Sequence, residues 1–262
     1  MALGQFEQQC AGSALIRPAV CGNSPLRSFA HGFTLIDTAI TLVIAGLLLQ
    51  MVVTGQQLIH NARVRDIIAQ QVAVEGAVMA FQDRYHALPG DYAMATANIA
   101  CTPSPCLNGN GNGRVEAGTG GAVHEEILAW QHLSAAGYLR ATYRMTSDSE
   151  SVATPNNTPR NVFGGYLEIV FDTDWGYGAN TVARHNIKTG NFIPVAVLSE
   201  VDRKVDDGRP GTGRFQFSRY AGFGPAPVNG GALGACTDAD TPAASWANRA
   251  DNDNCGAATL LY

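Results

Sequence analysis

The stretch TAITLVIAGLLLQMVVTGQQLIHNA, residues 38–62, contains no formally charged side chain, and His60 is its only titratable group. Asp37 bounds it on one side and Arg63 on the other. About 20 apolar residues suffice for a helix to cross the hydrocarbon core of a bilayer, so this segment is long enough to span one. The alternative, a buried core helix, usually runs shorter and shows a polar stripe. Everything else in the chain is organised by this run, because a helix apolar on every face demands a surrounding other than water.

Downstream the helical pattern continues but changes character. Val64, Ile67, Ile68, Val72, Val74, Val78, Phe81 and Tyr85 recur at three- and four-residue spacings, while Arg63, Asp66, Gln70 and Asp83 fall largely elsewhere. That is an amphipathic continuation, and it predicts one helix from Phe33 to His86, roughly 80 Å long at about 1.5 Å per residue. Leu88-Pro89-Gly90-Asp91 ends it, since proline bars continuation and glycine permits the turn. Beyond this point the pattern predicts helices over 123–138, with Ile127, Trp130, Leu133 and Leu139 on one face, and over 194–205, with Leu198, Val201 and Val205 in line. Strands are predicted over 165–171, 213–220 and 257–262. The fold class expected is therefore α+β, with a long N-terminal helix packed on a small antiparallel sheet in a loop-rich domain; 29 glycines and 12 prolines among 262 residues supply the loops.

Charge excludes some roles. The chain has 17 basic and 22 acidic residues and a net charge of −5, so nucleic acid is not an expected partner. Only Lys188 and Lys204 are lysines; the other basic residues are arginines.

Upstream of the apolar run the sequence reads His31-Gly32-Phe33-Thr34-Leu35-Ile36-Asp37. An ordinary secretory signal places its small-residue cleavage site after the apolar segment; here the glycine comes before it. The order of glycine, phenylalanine, three uncharged residues, one acid and a membrane-length span resembles the cleavage and N-methylation signature of type IV pilins and type II secretion pseudopilins. Arg17 and Arg27 on the upstream side follow the positive-inside tendency. The resemblance is close over residues 32–60. It implies a leader over 1–32, a hydrophobic transmembrane and assembly helix over 33–60, and a pilin-like domain over 61–262. It further implies that a prepilin peptidase cuts after Gly32, that Phe33 becomes the methylated N-terminus, and that Asp37 stands where the family has glutamate. The leader, which contains Cys10 and Cys21, is long for the family, and a start downstream of Met1 is expected.

By that resemblance the chain is a structural subunit, not an enzyme: single-pass in a bacterial inner membrane with its C-terminal domain in the periplasm, then assembled with other pilin or pseudopilin subunits into a filament at the cell surface or in the periplasm. The alternative within the family is a minor pseudopilin of a type II secretion system. The alternative of another class is a membrane-tethered periplasmic enzyme or ligand-binding domain that keeps its N-terminal residues. Two further segments, Tyr85–Asp91 and 202–213, resemble stretches that recur in large prepilin-like proteins.

Outside the leader four cysteines remain, Cys101, Cys106, Cys236 and Cys255. Sequence proximity favours the pairs Cys101–Cys106 and Cys236–Cys255, although three connectivities are possible, and zinc is the competing reading, weakened by the absence of a CxxC and of nearby histidines. No cofactor is expected, but two loops have the composition of a calcium site. In the first, Asn108, Asn110, Asn112 and Glu116 place side-chain oxygens at alternating positions, with Thr119 rather than glutamate at the twelfth; in the second, Asp202, Asp206 and Asp207 cluster after a helix. A turn in the first loop and helix-end capping in the second account for the same residues. The six histidines are scattered, and there is no HExxH or GxSxG. Glu125 and Glu126 point in different directions on a helix and read as ordinary helix-face acids.

Overall fold

In the computed structural model of this chain, helix α1 runs from Leu35 to Tyr85, within two residues of the span its periodicity predicts. The structure describes residues 34–102, 105–118, 122–177, 182–222, 224–231, 234–248 and 252–261. Two compact units divide the chain, residues 1–50 and residues 51–262. The described part of the first unit is the opening of α1 and Thr34 before it.

In the second unit the buried stripe of α1 consists of Val64, Ile67, Gln71, Val74, Ala77, Val78 and Phe81. Gln71 lies on it where the hydrophobic pattern expects Val72, which is 60% exposed. The physical reason is spacing: 64, 71 and 78 stand seven residues apart, as do 67, 74 and 81, so the stripe passes through 71. The Gln71 side-chain oxygen accepts from the Thr259 hydroxyl at 2.9 Å.

Three further helices follow: α2 (Ala95–Asn98), α3 (Glu125–Ala135) and α4 (Val195–Val205). α3 is shorter than predicted and leaves Leu139 outside, because Gly137 adopts φ +85° and turns the chain. Nor is it amphipathic, as every residue from Glu125 to Leu133 is buried. Pro194 precedes α4 with an extended ψ of 135°, and Val205 is 47% exposed rather than core.

The four strands are β1 (Glu168–Asp172), β2 (Arg184–Lys188), β3 (Phe215–Phe217) and β4 (Ala257–Leu260), antiparallel throughout in the order β1-β2-β4-β3. Glu168 pairs with Lys188 and Asp172 with Arg184 across β1 and β2. The three strands expected, the first of them from alternation, are present but shorter. β2 has no apolar alternation, since Arg184-His185-Asn186-Ile187-Lys188 offers one aliphatic residue, yet it is an interior strand whose last four residues are buried.

Two apolar clusters pack against the α1 stripe. Val74, Val78 and Phe81 meet Trp130 and Leu133 of α3 and Leu167, Ile169 and Ile187 of the sheet. Val64 and Ile67 meet Leu198 and Val201 of α4, Phe215, Phe217 and Ala257 of the sheet, and the Trp246 ring. Full burial of one large apolar side chain is worth about 1.5–3 kcal/mol. The long N-terminal helix on a small antiparallel sheet is thus the α+β arrangement expected.

Candidate functional site

The first candidate is the opening of α1. Leu35, Leu42, Leu49 and Met51 are 91%, 73%, 68% and 68% exposed, and Ile40, Val43, Ile44, Leu47, Leu48, Val52, Val53, Leu58 and Ile59 are also more than half exposed. The hydroxyls of Thr38 and Thr41 within this apolar surface are turned back on the helix. The Thr38 hydroxyl donates to the Leu35 carbonyl at 2.9 Å, and the Thr41 hydroxyl to those of Asp37 and Thr38 at 2.9 Å each. Such internal pairing is what a lipid-facing helix requires, because hydrocarbon offers no partner.

Asp37 lies in the first turn. Its backbone N–H donates to the Thr34 side-chain oxygen at 3.3 Å, and the Thr34 hydroxyl donates to Asp37 Oδ2 at 3.1 Å. Thr34 thus caps the helix while Asp37 occupies the third helical position of a capping pattern. That role went unread in the sequence, although Thr-x-x-Asp before an apolar run is its signal. Asp37 Oδ1 has no partner among the described residues. Gly32 and Phe33 lie outside the described residues.

The second candidate, loop 108–116, wraps two buried carboxylates. The Asn112 and Gly113 N–H groups donate to Asp91 Oδ1 and Oδ2, both at 2.9 Å. Those of Asn110 and Glu116 donate to Glu125 Oε1 and Oε2 at 2.8 and 3.2 Å. The asparagine oxygens that a calcium site would need to converge are turned to the backbone, as the turn reading has it: Asn108 Oδ1 accepts from the Thr96 N–H, Asn110 Oδ1 from the Asn112 N–H, and Asn112 Oδ1 from the Arg114 N–H. Glu116 Oε2 accepts from the Asn112 amide. The loop therefore presents amide N–H groups inward, a cradle for anions that Asp91 and Glu125 already fill.

Burial pushes the Glu125 carboxyl up to about 7, against the pull of the Asn110 and Glu116 N–H groups. It raises Asp91 in the same way. Glu125 and Glu126 are 1% and 8% exposed, so neither is a solvated helix-face acid: the α3 N-terminus is held under this loop. The Leu88-Pro89-Gly90-Asp91 turn is fixed from the other side. Gly90, at φ +91°, brings its backbone close enough to α3 that a Cβ there would collide with the Glu125 carbonyl oxygen, and its N–H donates to His132 Nδ1 at 3.0 Å. His132 donates from Nε2 to the Leu107 carbonyl at 2.9 Å. This fixes the neutral tautomer, and burial lowers its pKa to about 4.

In the third candidate, Asp202, Asp206 and Asp207 bring ligand atoms within 4.8 Å of one another, a spacing that a cation could share. Each acid also holds protein donors. Trp246 Nε1 donates to Asp202 Oδ2 at 2.6 Å and the Gly208 N–H to Oδ1 at 3.2 Å; burial pushes this carboxyl up to about 6. Asp206 Oδ2 accepts from the Phe215 N–H at 2.8 Å and from that of Arg214, tying the end of α4 to β3. Asp207 accepts from the Arg209 N–H at 2.9 Å and from the Thr212 hydroxyl.

Cys101–Cys106 and Cys236–Cys255 are disulfide-bonded, the pairing that sequence proximity favours. The second bond joins two buried sulfurs in the α4 cluster. No family model, curated protein or solved structure matches this chain.

Proposed function

We propose that the chain is a structural subunit of a type IV pilus-like filament, inserted in a bacterial inner membrane, cut by a prepilin peptidase between Gly32 and Phe33, N-methylated at Phe33, and assembled with other pilin or pseudopilin subunits through the first half of α1. The observation that carries this reading is the exposed apolar surface from Leu35 to Ile59, placed directly after Gly32-Phe33 and opened by a capped acid. In the membrane the surface faces lipid; in a filament it faces the same surface of neighbouring subunits. Asp37, whose Oδ2 accepts from Thr34 and whose Oδ1 has no partner among the described residues, then takes a partner from a neighbouring subunit. A carboxylate near a membrane boundary is costly unless paired, and the new amine of a neighbouring Phe33 is the natural counter-charge. Aspartate reaches one methylene less far than the family's glutamate, so the amine must approach more closely.

The minor pseudopilin is a subunit of the same build and differs in abundance and position. A tethered periplasmic enzyme or ligand-binding domain would keep its N-terminal residues and stay in the membrane. The test is shear fractionation of cells producing the chain at its native level: recovery in the sheared-filament fraction supports the reading, and complete retention with the membranes contradicts it. Calcium at Asp202, Asp206 and Asp207 is a separate proposal, tested by whether chelation lowers the melting temperature of the purified protein.

A further inference from the structure

Lys188 is the last residue of β2 and only 2% exposed. Among 17 basic residues it is one of two lysines, and the other, Lys204, sits at the surface against Glu200. The Lys188 amine nitrogen lies between side chains of the neighbouring strand. Glu168, its register partner, places Oε2 at 2.9 Å, and Asp172, four residues along the same strand, places Oδ2 in direct contact. Asp174 Oδ2 is further away at 3.9 Å. The Tyr220 ring covers the amine, its centroid 5.1 Å from Nζ. On the far side of the Asp172 carboxylate, the Asn186 amide donates to Oδ1 at 2.9 Å.

We propose that this cluster is the site of a self-formed amide cross-link between Lys188 Nζ and Asp172 Cγ, with Glu168 as the proton carrier. The parts needed are all present. The Lys188 nitrogen is held in direct contact with a carboxyl oxygen of Asp172 on the adjacent strand, so the reaction is intramolecular and its partners are already together. A second carboxylate touches the nitrogen. An amide N–H is aimed at the oxygen on which negative charge develops.

The reaction begins from the ammonium of Lys188 and the carboxylate of Asp172. Nζ gives one proton to Glu168, and its lone pair attacks Cγ to form the Nζ–Cγ bond. The resulting oxyanion on Oδ1 is held by Asn186 Nδ2–H. Glu168 delivers its proton to Oδ2, a second proton from Nζ follows by the same carrier, and the Cγ–Oδ2 bond breaks. Oδ2 leaves as water with both protons, no electron changes hands, and Glu168 ends as it began. Glu168 suits the carrier role because burial, opposed by Lys188, pushes its carboxyl up to about 7. Burial would lower the Lys188 ammonium, but Glu168 and Asp172 outweigh it and hold it above its ordinary value, so transfer to Glu168 is the demanding step.

Two features favour the condensed product. A buried ion pair carries a desolvation penalty that a neutral amide does not. The Asp172 side chain, at 27% exposure against 2% for Lys188, gives the leaving water a route out. The link would staple β1 to β2, the two strands that carry the sheet beyond β4.

The experiment is intact-mass measurement and peptide mapping of the full-length protein extracted from membranes, and it is independent of the filament reading. The cross-link predicts a mass lower by one water than processing and disulfides account for, and a branched peptide joining Lys188 to Asp172. Lys188→Arg should restore the missing water in every molecule and Glu168→Gln in most. Linear peptides containing unmodified Lys188 and Asp172 in the wild-type protein would overturn the proposal, as would an amide on Glu168 or Asp174. A Glu168→Gln protein linked as fully as wild type would overturn the carrier role.

Discussion

The two halves of α1 differ in how many aliphatic residues they carry, 13 Leu, Ile and Val over 35–59 against 6 over 60–85, and satisfy them in opposite ways. From Val64 to Phe81 the apolar side chains form one stripe, with Val64, Val78 and Phe81 wholly buried, and charged residues such as Arg63, Asp66 and Asp83 mark the other faces. From Leu35 to Ile59 apolar residues occupy every face and remain exposed. The difference teaches that a stripe is completed by its own chain, whereas an all-round apolar helix is completed by lipid or by other helices. Stability should therefore be concentrated in the second half and assembly in the first.

The sharpest way to break that comparison is to truncate one large residue in each half. Phe81→Ala, at the centre of the cluster with Trp130 and Leu133, should cost about 3–5 kcal/mol, measured by denaturant unfolding of the detergent-solubilised protein. Leu47→Ala should leave that unfolding transition unchanged within about 0.5 kcal/mol. Equal losses at the two positions would mean that the first half also packs on the chain's own core.

A smaller effect is expected at the Cys236–Cys255 bond. It ties the β4 approach to a buried loop near Trp246, and Cys236→Ser should cost about 2–4 kcal/mol. Peptide mapping without reductant should recover the two cysteines as one linked peptide, and a free thiol at either would contradict the pairing.

Acid–base behaviour sharpens the comparison further, because among the described residues every strongly shifted group lies in the second unit. Glu125 holds its proton to about pH 7 when folded, against 4.5 ordinarily, so between those values the folded state binds more protons. Its contribution is present below about pH 4.5 and is lost as pH rises towards 7. His132 has the opposite sign: lowered from 6.5 to about 4, it contributes stability above pH 6.5 that is lost as pH falls towards 4. Glu125→Gln should therefore narrow its melting-temperature deficit relative to wild type as pH is raised from 5 to 8. A constant deficit would show that the folded and unfolded states share one Glu125 pKa.

The smallest effect on folding should come from Asp37→Ala. Losing one reciprocal cap with Thr34 costs about 1 kcal/mol locally and nothing in the packed domain, so the unfolding transition should not move. Incorporation into filaments against wild-type competitor should fall, and Asp37→Glu should preserve or improve it. Asp37→Ala subunits incorporated at the wild-type level would remove the carboxylate from assembly.

Much of this architecture was legible because hydrophobic periodicity is local. The bounds of α1, the turn at Leu88–Asp91 and the α4 span follow from residue spacing. What escaped the pattern was polar and long-range. β2 carries His185, Asn186 and Lys188 into the interior, where distant partners such as Asp172 and Glu168 satisfy them, and no periodicity reports a partner about 20 residues away. Glu125 is buried because the N–H groups of loop 108–116 close over it, which depends on that loop's path and not on α3. The same path turns the asparagine oxygens away from a common centre. At the N-terminus the signature Gly32-Phe33-Thr34-Leu35-Ile36-Asp37 was readable as a resemblance, while the Thr34 cap required the geometry.

The central claim is that the first half of α1 becomes an assembly surface after the leader is removed. It is tested most directly by the N-terminal sequence and mass of the wild-type protein isolated from cells that produce it natively. The account predicts a mature chain that begins at Phe33 with a methylated amine and contains nothing upstream of it. A chain recovered with residues before Phe33 still attached would contradict it and favour a tethered domain with an uncleaved anchor.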